Sequence, residues 1–196
     1  MQFSCLLLLL LLQPLLPDRK VGACPGSTMN GIAHLDTAIS YIGTVELTNH
    51  NDGPIVEKFL KSVGRKKGDS WCAAFVSYCL KTAEVNYPRI CSGLARSFKL
   101  KNSIRVREVL IGKQKIFPGI IIVWEKGNTV FGHVGFVEKW FKQNGVTIEG
   151  NTCSDRIHSV VMTNELIHEG VFRKNRTIEP GNYFRITCFT QVQSGK

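Results

Sequence analysis

The stretch Pro118-Gly119-Ile120-Ile121-Ile122-Val123-Trp124 divides this chain into two parts of different periodicity. Pro118-Gly119 is a turn signal, and the short apolar, β-branched run behind it reads as a strand over residues 120–124. Downstream the strand pattern recurs at 130–138, 145–149 and 183–190, separated by turns such as Gln143-Asn144-Gly145. Upstream the pattern is helical. Ile32, Leu35, Ala38, Ile39 and Ile42 follow helical spacing, and Gly43 stops them. Asn51-Asp52-Gly53-Pro54 is a turn; Pro54 then opens a second helix with Val56, Phe59, Leu60 and Val63 as its apolar stripe and Gly64 at its end. A basic loop over 65–70 leads into a third helix, residues 71–83, with Asp69 or Ser70 placed to cap it. Helices first and strands afterwards predict an α+β fold, with N-terminal helices packed on an antiparallel β-sheet, not alternating βαβ units.

The chain has 196 residues, 43% of them hydrophobic, which suits one domain over about residues 28–193. Residues 1–23 read differently. Leu6 to Leu12 is an unbroken leucine run, the length of a secretory h-region and short of a bilayer span, with small residues at Val21-Gly22-Ala23. The expectation is a signal peptide and an exported protein, periplasmic or extracellular, although Met1-Gln2-Phe3-Ser4 lacks the usual positive charge. Val21-Gly22-Ala23-Cys24 loosely matches a lipoprotein box, which makes Cys24 a candidate lipid attachment site.

The formal charge is +10, and +9 once Asp18, Arg19 and Lys20 leave with residues 1–23. Such a surface is drawn to polyanions, and in a cell envelope these are wall polymers and anionic lipid. The cations are dispersed along the chain without interleaved aromatics, so nucleic acid is not expected as a partner. A monomer is the expectation. Seven cysteines (Cys5, Cys24, Cys72, Cys79, Cys91, Cys153 and Cys188) show no CxxC or Cys/His metal spacing and no evident disulfide framework.

The chemistry concentrates at three points. Cys72, in Gly68-Asp69-Ser70-Trp71-Cys72-Ala73-Ala74-Phe75-Val76, stands where a helix begins. Unpaired N–H groups and the positive end of the helix dipole stabilise a thiolate there, and the same N–H groups can hold an oxyanion. Ser70 and Trp71, immediately before it, are candidate substrate contacts. Cys79 lies two turns deeper among Phe75, Val76 and Leu80 and reads as core. Gly132-His133-Val134-Gly135 puts a histidine on a strand between two glycines, and strand glycines often mark a close approach. His133 is the candidate general base. Glu149 and Asn151, in Glu149-Gly150-Asn151, are two residues apart and so share a strand face; either could orient the imidazole. His34, His158 and His168 are expected at the surface.

Trp71-Cys72-Ala73-Ala74-Phe75-Val76, Pro118-Gly119, Gly132-His133-Val134-Gly135 and Ile148-Glu149-Gly150-Asn151, in this order, resemble the CHAP family of cysteine, histidine-dependent amidohydrolases and peptidases, within the papain-like group that includes NlpC-type wall peptidases. The resemblance spans about residues 34–190. It implies a papain-like fold and a peptidoglycan hydrolase, either N-acetylmuramoyl-alanine amidase or endopeptidase. Cys72 would be its nucleophile, His133 its base, and stem peptides its substrate. Where family members often have Pro-Gly-Asp, this chain has Pro118-Gly119-Ile120, so no acidic role carries over there. No cofactor is expected. An antibacterial effector or lysin with the same chemistry, a wall-binding module without activity, and a papain-like protease of proteins are the alternatives.

Overall fold

The computed structural model describes residues 32–153, 168–179, 181 and 184–193. The leader, Cys24 and His158 lie outside the described residues, as does the start of the expected domain. Three helices come first: α1 Ala33–Ser40, α2 Pro54–Ser62 and α3 Cys72–Thr82. Each stops near the glycine or turn expected of it, and Gly43 and Gly64 take the left-handed conformations (φ +91 and +70) that end a helix cheaply. A single 3-10 turn, Ala95–Phe98, then precedes β1 Ile104–Arg105, α4 Val106–Leu110, β2 Ile121–Lys126, β3 Gly132–Phe141, β4 Asn144–Cys153, β5 Glu169–Thr177 and β6 Phe184–Thr190.

The strands form one antiparallel sheet in the order β1-β6-β2-β3-β4-β5. The mixed architecture is the α+β fold predicted, with α1, α2 and α3 gathered on one face and the short α4 on the other. Alternation along β2 explains why that strand is apolar throughout. Ile121 and Val123 point into the core under the helices, with Val134, Phe136 and Ile148. Ile122 and Trp124 point the other way, into a second core with Val109, Val137, Ile186 and Phe189. A strand buried on both faces loses the polar alternation of a half-exposed one.

Two strands were not anticipated, β1 and β5. β5 reads Glu-Gly-Val-Phe-Arg-Lys-Asn-Arg-Thr, a largely polar edge strand whose apolar content is too low to signal itself. The β3–β4 hairpin is longer than expected at its tip, and Val130 and Phe131 lie in the preceding turn, not in the strand. α3 lies across β3 and β4, which brings its first turn over the ends of those strands that carry His133 and Glu149.

Candidate active site

Cys72 is the first residue of α3 and retains 7% exposure. The helix end is not capped as expected. Neither Asp69 nor Ser70 bonds it, and its N-cap residue, Trp71, makes no side-chain cap. Instead Asn151 reaches across from β4 and accepts the Trp71 N–H at 3.0 Å through Oδ1. The helix proper closes with Phe75 N–H donating to the Trp71 carbonyl at 2.9 Å, which leaves the amides of the first turn, Cys72 included, without a partner inside the helix. Close contact between helix and strand depends on Gly150. A Cβ there would lie 2.6 Å from Trp71 Cζ3 and 3.0 Å from Phe75.

His133 sits near the start of β3, opposite Trp124, with 12% of its side chain exposed. Its Nε2 donates to Glu149 Oε2 at 2.9 Å, so Nδ1 is the nitrogen left for Cys72. Gly135 makes the approach feasible: a Cβ there would come within 2.7 Å of Glu149 Cγ and 2.8 Å of the Ile148 carbonyl. Glu149 itself is fully buried, yet every oxygen is satisfied. Oε1 accepts from Thr147 Oγ1 at 2.5 Å and Arg176 Nε at 2.8 Å; Oε2 accepts from Arg176 Nη2 at 2.5 Å as well as from His133. The Arg176 guanidinium also lies over the Trp124 ring, 5.4 Å from its centroid.

The electrostatics follow from these contacts. Burial by itself would push His133 toward neutrality. It is outweighed by the charge of a Cys72 thiolate, the hydrogen bond to Cys72 and the Glu149 carboxylate, and the imidazole pKa rises to about 10. For Glu149, burial would raise the pKa, but hydrogen bonds from Arg176 and His133 and their charges bring it down to about 2. Arg176, Glu149 and His133 form one chain of alternating charge, guanidinium, carboxylate and imidazolium, that ends at Cys72.

Several sequence expectations need correction. Asn151 does not share a face with Glu149. The β4–β5 register shifts between Glu149 and Thr152, and Asn151 takes a left-handed conformation (φ 55), so the two-residue alternation breaks at this bulge. Besides Trp71, it bonds Glu46 Oε1 (3.3 Å), Asn51 Oδ1 (2.9 Å) and Glu169 Oε2 (2.5 Å) through Nδ2. It anchors the helix and does not touch the imidazole. Trp71 cannot contact substrate as expected, because it is completely buried, stacked on Phe59 and donating from Nε1 to Glu46 Oε1 at 2.7 Å. Ser70 is exposed at the mouth of the helix. His34 is no surface residue either: at 2% exposure its Nε2 donates to the Gly119 carbonyl at 2.8 Å, and burial lowers its pKa. His168 is half-buried. Cys79 is buried and its thiol is pushed up by desolvation. The described cysteines, Cys72, Cys79, Cys91, Cys153 and Cys188, are all free thiols.

Three residues of the site were missed for want of a local signal: Arg176, Glu46 and Glu169. All act through contacts distant in sequence, and two lie on the unanticipated β5. Thr147, two before Glu149 on the same strand face, was the one missed partner with a local signal.

Residues 64–151 match the family model of the CHAP domain. The matched stretch runs from the end of α2 through Asn151, so it includes Cys72, His133 and Glu149 and stops before Arg176. Comparison with curated proteins and with solved structures gave no match.

Proposed function

We propose that this protein hydrolyses stem-peptide or muramoyl–alanine amide bonds of peptidoglycan through a Cys72 thiolate, because residues 64–151 match the CHAP domain, a family whose members are generally amidohydrolases and peptidases linked to peptidoglycan. The observation that carries the reading is the Arg176–Glu149–His133 chain, built around the fully buried Glu149 and ending at Cys72, which favours a charged nucleophile–acid pair over a neutral structural histidine.

In this reading the Cys72 Sγ attacks the scissile carbonyl carbon, and its electron pair moves to the carbonyl oxygen. The free amides at the start of α3 stabilise that oxyanion. Collapse breaks the C–N bond as His133 gives its Nδ1 proton to the departing amine, leaving a thioester on Cys72. His133, now neutral, takes a proton from water; the hydroxide adds to the thioester, and the acid product leaves with the thiolate–imidazolium pair restored. Glu149 holds the imidazole by Nε2 throughout and stabilises its charged form, while Arg176 and Thr147 keep Glu149 ionised in a dry site. The +10 formal charge suits a substrate polymer carrying anionic groups. Export of the mature domain is part of the same proposal, since its substrate lies outside the cytoplasm.

Purified sacculi incubated with the wild type and with Cys72→Ala, followed by mass spectrometry of the released fragments, test it. Release by the wild type alone is expected, and fragment masses distinguish an amidase from an endopeptidase. Equal release by both proteins removes Cys72 from the chemistry. Sacculus binding without release by either protein means a wall-binding module.

A further inference from the structure

Eight residues beyond His133 on the same strand, or about 26 Å along it, the sheet ends in a surface of different character. Leu110 and Ile111 at the end of α4, Phe117 before β2 and Phe141 at the tip of the β3–β4 hairpin are 45, 66, 61 and 74% exposed. They border a groove of about 1130 Å³ whose wall includes the half-buried Trp140. Lys113, Lys115, Lys139 and Lys142 are exposed on the same two segments, and residues 109–118 and 139–145 contain no Asp or Glu. None of these lysines is in an ion pair among the described residues. Of the two carboxylates that border these segments in sequence, Glu138 is held by Arg173 at 2.9 Å and Glu108 accepts from the Arg105 N–H at 3.3 Å.

Single apolar side chains at a surface are ordinary. A cluster of four large ones on two neighbouring loop tips, with four exposed lysines among them, is not. We propose that this end of the domain docks peripherally on an anionic lipid surface, with Ile111, Phe117 and Phe141 entering the headgroup region. Charge complementarity selects the occupant. The lysine stems lie along apolar surface while their ammonium groups reach lipid phosphates, and Lys142 already sits 5.4 Å from the Phe141 ring. A hydrophilic polyanion would satisfy the lysines but leave the aromatic and aliphatic tips in water. No described helix is long and apolar enough to cross a membrane, so the domain would lie on the bilayer, with the His133 end of β3 directed away from it.

Trp140 makes the contact measurable, because Trp71 is fully buried and Trp124 is 4% exposed. The full chain is mixed with vesicles of equimolar phosphatidylcholine and phosphatidylglycerol carrying brominated acyl chains, and tryptophan quenching is recorded. This signal reports the groove whatever other segment touches lipid. Quenching is expected with the anionic vesicles, weak with phosphatidylcholine alone, reversed by salt, and abolished in Trp140→Phe. The double variant Ile111→Ser/Phe141→Ser should lose it while keeping its circular dichroism spectrum, since both side chains are exposed. Each of Lys113→Gln and Lys142→Gln should weaken vesicle binding about fivefold. Quenching that is absent, or unchanged in the double variant, overturns the proposal. So does binding to purified sacculi that is lost in the double variant while quenching never occurs, which assigns the surface to a wall polymer.

Discussion

The two ends of α3 carry the same side chain in opposite circumstances. Cys72 and Cys79 are seven residues apart on one face of one helix, and both are largely buried. Cys79 lies two turns in, among Phe75, Val76 and Leu80, where desolvation raises its thiol pKa and nothing offsets it. Cys72 opens the helix, beside free first-turn amides and an imidazole whose raised pKa reflects the thiolate charge next to it. In the proposed chemistry, reactivity is therefore a property of position, set by a helix terminus and by a charge chain anchored on other strands, not by residue type or by depth of burial alone.

This contrast can be broken most sharply by mutation. Cys72→Ala should reduce hydrolysis of a soluble muropeptide by on the order of 10³-fold or more, measured as kcat/KM. Glu149→Gln should cost about 10²-fold to 10⁴-fold, because the imidazole loses both its orientation and the carboxylate that favours its charged form. It should also move the alkaline fall in activity to lower pH than in the wild type, in which His133 stays protonated up to about 10. The same variant has a signature in stability. With a folded-state pKa near 2 against an ordinary 4.5, Glu149 contributes stability that is full above about pH 4.5 and is lost as pH falls toward 2. The Tm difference between wild type and Glu149→Gln should therefore be greatest at neutral pH and narrow in acid.

Asn151→Ala sharpens the division of labour on β4. It removes a cap from the α3 terminus and should cost about 1 kcal/mol of stability in denaturant titration, with kcat falling far less than in Glu149→Gln. Equal losses of kcat in the two variants would mean that Asn151 acts on the imidazole after all. The smallest effect belongs to Cys79→Ala: unchanged kcat/KM, and about 1 kcal/mol of stability lost to a small cavity.

What was legible in the sequence had a local signature. Helical spacing before Pro118 and apolar runs after it were enough for the α+β arrangement, and the glycines around His133 foretold a close approach that Gly135 provides for Glu149. What was illegible depended on pairing at a distance. β5 is a polar edge strand, so Arg176 had no visible reason to stand beside Glu149, 27 residues away. Strict alternation put Asn151 beside Glu149, and a bulge turned it toward Trp71. Trp71 next to the nucleophile suggested a substrate platform, whereas its Nε1 bond to Glu46 and its stacking on Phe59 make it the packing that seats the helix. His34 shows the same limit: a buried histidine whose partner is the Gly119 carbonyl, 85 residues away, has no signal in its own neighbourhood.

The central claim is that His133 is held as an imidazolium against a Cys72 thiolate. Nitrogen-15 NMR of the His133 ring through a pH titration measures this directly. The account predicts a protonated ring up to about pH 10 in the wild type, and a marked fall in the titration midpoint in Cys72→Ala. A wild-type ring that titrates near the ordinary 6.5, or a midpoint indifferent to loss of Cys72, would contradict it.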